Sequence, residues 1–233
     1  AVLAAKRANA YKRAFDLVAA VALILVLAPL LVVVASAIKL DSRGPVLYRA
    51  RRLGFRGREF TMLKFRKMRE DASGAALTLA YDDRFTRIGR FLAKSKLDEL
   101  PQLWNVLRGE MSLVGPRPED PQFVFLHSER YAQILRVKPG ITGLCQLAFR
   151  AEGLLLDPSD PVGYYTERLL PQKVAIDELY AATRTLRTDL RILVWTAAAL
   201  LGRIDIDVHR QTGRLSRRQP RVAVHESAPA EAA

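Results

Sequence analysis

Leu17 to Ile38 runs for 22 residues without a charged side chain, and no other stretch narrows the possible folds as much. As a helix rising about 1.5 Å per residue it would measure about 33 Å, enough to reach through a bilayer's hydrocarbon core. A cleaved leader is a poor reading, because the run is too long and no small-residue cleavage site ends it. The run therefore implies membrane association. Pro29 removes one helical hydrogen bond and its ring crowds the carbonyl of Leu25, so a kink or break is expected there. Lys12 and Arg13 on one flank are balanced by Lys39, Arg43, Arg49, Arg51 and Arg52 on the other. The preference of Lys and Arg for the cytoplasm thus orients no simple span. Two arrangements stay open: a kinked transmembrane helix, or a helix broken at Pro29 that enters and leaves by one face.

The rest of the chain is basic. Thirty-seven Lys and Arg against 24 Asp and Glu give a net charge of +13, which points to an anionic partner: phospholipid surface, phosphorylated substrate or nucleic acid. A nucleic-acid binder would account for the charge but leave the apolar run without a purpose. Cys145 is the one cysteine, which excludes an internal disulfide, and His127, His209 and His225 are too scattered to suggest a zinc site. The chain begins at Ala1 rather than Met, as expected of a piece or processed product of something longer.

After a turn at Asp41–Pro45, Val46 to Met62 alternates around Gly54 and Gly57 and reads as a β-hairpin. Eleven Lys and Arg lie between Lys39 and Arg69, a density suited to anionic headgroups. Among them, Lys64-Phe65-Arg66-Lys67-Met68 has the alternative of clamping substrate phosphates. Glu70–Arg84 reads as a loop and Phe85–Lys94 as a basic amphipathic helix. Ser95–Glu119 follows, with Leu97, Leu100, Leu103, Trp104 and Leu107 at helical spacing and Gly109 as a stop. Asp98 and Glu99 thereby fall in a first helical turn. Adjacent carboxylates there could bind a divalent cation and supply an acyl-phosphate nucleophile, or serve only as helix caps. Pro116 and Pro118 stiffen the backbone around Arg117, which suits an anion-binding arginine as well as a plain surface turn.

Pro121–Arg136 is expected to be helical, and Val137–Gln146 a loop or short strand whose Gly140 and Gly143 lack the spacing of a phosphate-binding loop. Arg168–Leu186 reads as a helix carrying Asp177 and Tyr180. Ile192–Leu201 is too short to span a bilayer, leaving core packing or an interfacial helix. The expected division is a basic segment at 1–13, a membrane helix at 14–40, a catalytic region at 41–205, and a basic disordered tail at 206–233.

Lys12-Arg13 with Phe15-Asp16, the proline-interrupted apolar run, SRGPVLY, KFRKM, LDELPQLWNVLRGEMSLVGPRPE and KPGITGLCQ occur in this order. In this the chain resembles the bacterial sugar transferase family, the monotopic polyprenyl-phosphate phosphoglycosyl transferases, over roughly Tyr11 to Leu201. The resemblance implies a mostly helical α+β monotopic membrane protein, with a re-entrant helix bent at proline, a small β-hairpin and interfacial amphipathic helices. It implies an enzyme at the cytoplasmic face of a bacterial inner membrane that starts surface glycan (exopolysaccharide) assembly. Such an enzyme transfers a sugar 1-phosphate from a nucleotide diphosphate sugar, UDP-linked by expectation, to a polyprenyl phosphate and releases UMP. By the same likeness Asp98 is the nucleophile that forms a phosphosugar intermediate, and Glu99 its catalytic partner and Mg²⁺ ligand. Lys64, Arg117 and Arg150 match positions that bind the substrate's phosphates and nucleotide. Partners implied are the two substrates and membrane phospholipids, with no nucleic acid, and a homodimer is one option for an oligomeric state the sequence leaves open. The chain departs from the family pattern at Ala93 and Lys96, where Arg and then Ser or Thr are usual, at Lys67 in place of Thr, and at Phe149 in place of Gly. A membrane-anchored basic scaffold or anionic-lipid binder without catalysis is the alternative reading.

Overall fold

One helix carries the whole apolar run. In the computed structural model, which describes residues 2–70, 72, 77–202 and 204–217 and only the backbone over 2–8, α1 spans Val2–Asp41. Pro29 lies inside it, so the expected break is corrected. Losing one N–H donor does not end a helix whose neighbouring turns keep their bonds. The flank side chains of Lys6 and Arg7 lie outside the described residues.

Both flanks of α1 are anchored to the same body. At its N-terminal side, Asp16 accepts from the Ser112 hydroxyl at 2.8 Å and the Leu113 amide at 3.2 Å, while Lys12 meets Asp189 at 2.6 Å. Arg13 donates to the Val106 and Leu107 carbonyls. At its C-terminal side, Val34 and Ile38 form a small core with Phe65 and Leu92. Between these anchors Leu25, Val26, Val32 and Val33 stand 64–76% exposed, apolar surface that calls for an apolar environment.

The hairpin forms as expected, β1 (Leu47–Leu53) antiparallel to β2 (Glu59–Phe65). Buried Arg66 donates to the Ser42 and Arg43 carbonyls and holds the hairpin to the exit of α1. Helix α2 (Arg87–Ser95) is capped by Thr86 and packs so closely on the hairpin's end that a Cβ at Gly89 would lie 1.7 Å from the Lys67 carbonyl. Helix α3 (Gln102–Arg108) lies along the free edge of β2, where buried Asn105 accepts from the Leu63 amide and donates to the Thr61 carbonyl. Trp104, expected on the apolar face, is instead 53% exposed. Asn105 fixes the roll of this short helix, with Leu103 and Val106 buried in the core and Leu107 packed against it.

Strands β3 (Ser112–Val114) and β4 (Gly140–Thr142) pair in parallel. A Cβ at Gly140 would sit 2.0 Å from the Gly115 amide, so the glycines of VGPRP and KPGITG serve close backbone approach. The helix expected over 121–136 is two, α4 (Pro121–Leu126) and α5 (Ser128–Ile134), divided at His127. Then come α6 (Leu144–Ala148), α7 (Glu152–Leu155), α8 (Pro161–Tyr164) with a π-helical turn after it, α9 (Leu170–Thr183) and α10 (Leu186–Gly202). Phe149 packs against both larger core clusters, which gives its bulk a structural reason.

The tail expected to be disordered from 206 begins instead with a second hairpin. Strands β5 (Ile206–Val208) and β6 (Leu215–Arg217) bury Ile206, Val208 and Leu215 in the main core. Residues 218–233 lie outside those described. The architecture is mostly helical α+β, with three two-stranded sheets among the described residues.

Candidate active site

Asp98 and Glu99 occupy a 3₁₀ turn, Leu97–Glu99, between α2 and α3. The chain enters it through Lys96, whose φ of 61° is left-handed, a conformation uncommon outside glycine, Asn and Asp and concentrated at functional sites. This geometry presents the two carboxylates to different cations. Asp98, 2% exposed, has one oxygen 3.5 Å from the Lys67 ammonium. Glu99 accepts from Lys64 at 2.9 Å. The strand period puts Lys64 on the inward face of the hairpin, and Gly89 holds the Lys67 backbone against α2.

Burial would raise the Glu99 pKa, but Lys64, Arg117 and Lys96 outweigh it and bring it down to about 2. Burial lowers that of Lys67, with Asp98 opposing. Arg117 makes no side-chain hydrogen bond or ion pair with any described residue. Its pKa is raised, since the fields of Glu99, Glu152 and Glu119 outweigh its burial. The remaining oxygen of Asp98, Oδ1, is buried and has no hydrogen-bond partner. A buried, unpartnered carboxylate oxygen is costly, and such exceptions need a reason.

These groups line one cavity of about 2540 Å³, together with Lys64, Lys67, Lys96 and Arg150. All five residues singled out from sequence therefore face the same space. Arg150 reaches it from the end of α6, with a long 3.4 Å bond to the Ile204 carbonyl. The sequence offers Lys67 as part of a phosphate-clamping run and Lys96 as a departure from the family pattern, and the fold brings both to the carboxylates. No local pattern could have paired Lys67 with Asp98, 31 positions away.

Behind Arg117 is a second charge cluster. Lys173, 2% exposed, meets Glu152 at 3.1 Å, Glu119 at 3.3 Å and the Tyr165 hydroxyl at 2.5 Å, and Tyr165 donates to Glu119 at 2.6 Å. Glu119 is thereby held ionised, with Lys173 and Arg117 outweighing burial. Asp177 accepts from the Arg117 amide at 3.3 Å, and its other oxygen is buried without a partner. The Pro-Arg-Pro loop is thus clamped from the protein side while its guanidinium is left for something else.

No group of three or more His, Cys, Asp or Glu side chains suited to a metal occurs among the described residues. Mg²⁺ commonly takes one or two carboxylates and completes its shell with water and substrate phosphates. Glu99, held ionised at the cavity, fits such an ion.

Comparison with known proteins agrees with the motif order. A family model described as bacterial sugar transferase matches residues 7–203. An undecaprenyl-phosphate glucose phosphotransferase of Komagataeibacter xylinus is 47% identical over 194 residues, covering 79% of this chain and 35% of that protein. A UDP-glucose:undecaprenyl-phosphate glucose-1-phosphate transferase of Caulobacter vibrioides is 45% identical over 195 residues, 82% of this chain and 69% of the relative. The exopolysaccharide production protein PSS of Rhizobium leguminosarum is 40% identical over 201 residues, 82% and 96% of the two chains. The chain spans about a third of the first relative and nearly all of the third.

Proposed function

The chain belongs to the bacterial sugar transferase family, and from that membership we propose that it moves a sugar 1-phosphate from a nucleotide diphosphate sugar to a polyprenyl phosphate. The observation that carries this reading is the buried, unpartnered Oδ1 of Asp98 facing a cavity ringed with cations. In the first step that oxygen attacks the sugar-bearing phosphorus. A bond forms between carboxylate and phosphorus, and the phosphoanhydride breaks to release the nucleoside monophosphate. In the second step an oxygen of the lipid phosphate attacks the same phosphorus, freeing Asp98 and leaving a polyprenyl diphosphate sugar. Division of one transfer into two is what a positioned carboxylate nucleophile offers.

Lys64, Arg117 and Arg150 hold the donor's phosphates, Arg117 with a guanidinium no protein group claims. Glu99, ionised down to about pH 2, is the residue to hold Mg²⁺, which when bound would neutralise charge on the diphosphate. Because relatives carry names specifying glucose 1-phosphate transfer from UDP-glucose to undecaprenyl phosphate, UDP-glucose is the first donor to try, with UMP as the product to measure. The product would initiate a surface glycan. The test is a panel of UDP-sugars with undecaprenyl phosphate and Mg²⁺. UMP release from at least one donor is expected; release from none would leave a basic membrane scaffold as the better reading.

We further propose that α1 is re-entrant, bent at Pro29 without being broken there, and that the body lies at the cytoplasmic face of the inner membrane, against phospholipid. What supports this is the docking of both its flanks on one body, Asp16 on β3 and Ile38 beside α2, since a single crossing would part them. Single cysteines at Asn9 and Arg49 should label from the same side; labelling from opposite faces would refute it.

A further inference from the structure

The catalytic cavity has a smaller neighbour on the outer side of the first hairpin. It is a groove of about 580 Å³. Leu47, Arg49 and Leu63 form one wall, with Arg49 directly opposite Leu63 in the strand register. Pro101, Trp104 and Arg108, successive turns of one helical face, form the other. Alternation along β2 puts Lys64 on the catalytic side and Leu63 on this one, so the groove is distinct from the site around Asp98. The two spaces share a wall, however, because Leu47 and Arg49 line both.

Three properties of the groove identify its occupant. Its floor is apolar, and Trp104, which the core does not use, stands 53% exposed beside it. An indole so placed suits the boundary between apolar and polar phases. Arg49 and Arg108 at its rim make no ion pair or side-chain hydrogen bond with any described residue, which leaves two cations free for an anion. Finally, it is bordered by both flanks of the apolar helix: Arg13 is bonded to the Val106 and Leu107 carbonyls of α3, and Leu47 packs against the Val34–Ile38 cluster. An amphiphile with an anionic head and an apolar tail, reaching the groove from the bilayer, fits all three. Bulk phospholipid would satisfy the charge but has no reason to meet a groove that shares Leu47 and Arg49 with the lining of the nucleophile's cavity.

We infer that this groove seats the head-proximal isoprenoid units of the polyprenyl phosphate acceptor, with Arg49 and Arg108 guiding its phosphate past Leu47 toward Asp98. The inference rests on the activity proposed above and adds where the lipid substrate binds and which residues select it.

The test uses the full chain in mixed micelles with a diazirine-bearing polyprenyl phosphate, irradiated and mapped by mass spectrometry. Adducts should fall on 47–49, 61–63 and 101–108, suppressed by unlabelled polyprenyl phosphate and not by equal phosphatidylglycerol. Adducts elsewhere, or equal suppression by phosphatidylglycerol, would overturn the assignment, the second result marking a seat for bulk lipid. Trp104→Gln and Arg108→Gln should each raise the KM for polyprenyl phosphate about tenfold, or ~1.4 kcal/mol, with at most a small rise in the KM for the donor. Parallel rises in both would argue against the groove. Nucleoside monophosphate release without adducts here would sink this inference and spare the proposed activity, whereas specific adducts without release from any donor would do the reverse.

Discussion

Two clusters of acids and bases meet around the Pro116–Pro118 loop and line one cavity, and they are wired in opposite ways. In front, Asp98 and Glu99 each meet one lysine, at 3.5 and 2.9 Å, and Asp98 keeps an oxygen with no partner. Behind, Lys173 meets two carboxylates and a hydroxyl, so that its three donors are all used. The comparison teaches that burial of charge says little by itself about function. What separates the clusters is valence left over: the front one is incomplete without a ligand, and the back one needs none.

If that is right, the largest effect on activity comes from the front. Asp98→Asn keeps the shape of the side chain and removes its nucleophilicity, and should lower the rate of UMP release by about 10³-fold or more. Its melting temperature should stay within a few degrees of the parent's, since Lys67 retains partial contact with solvent. A variant that loses fold together with activity would show that Asp98 belongs with the structural cluster after all.

The back cluster should answer the other way. Lys173→Met fits the volume but leaves nearly buried Glu119 and partly exposed Glu152 without their cation, and should destabilise the fold by about 2–4 kcal/mol in a urea or thermal melt. Any chain that remains folded at low temperature should still bind donor, because the three donors of Lys173 are already taken by Glu119, Glu152 and Tyr165. Stability close to that of the parent would mean the network is not closed in solution, and would dissolve the contrast.

How much of this was readable beforehand follows from the range of the interactions. The long apolar helix, the first hairpin and the rigid Arg117 loop are written in local periodicity and in Pro and Gly, so their residues announce them, whereas Asp98 and Glu99, expected in a first turn of α3, stand in a separate 3₁₀ turn before it. The partners of those groups are not. Lys67 reaches Asp98 through a packing contact at Gly89, and Lys173 reaches Glu119 across 54 positions. Trp104 has the spacing of a core residue, and only the edge-on grip of Asn105 on β2 turns it outward. Strands β5 and β6 are three residues each, too short to be recognised without the core that buries them. Pro29 reads as a break because the local rule counts the lost hydrogen bond and not the length of helix on either side.

Asp177 tests the rule most finely, since it sits with the closed cluster yet shares the feature of the open one. It accepts the Arg117 amide, and its second oxygen is buried with no partner. Burial, the dominant influence, lifts its pKa from 3.8 to about 8 despite the Arg117 amide and Lys173. A carboxyl with a raised folded-state pKa favours the fold while protonated. That contribution is therefore whole below about pH 4 and is lost as pH rises through about 8, because the unfolded chain gives up its proton first. Asp177→Asn mimics the neutral form at every pH. It should raise the melting temperature a little at pH 5, where the unfolded chain is already ionised, and much more at pH 8.5, by about 2–4 °C for each kcal/mol of penalty removed. Equal shifts at both pH values would mean that Asp177 is ionised in the fold and that its unpartnered oxygen has found a ligand, which would move this residue from the structural side of the loop to the functional one.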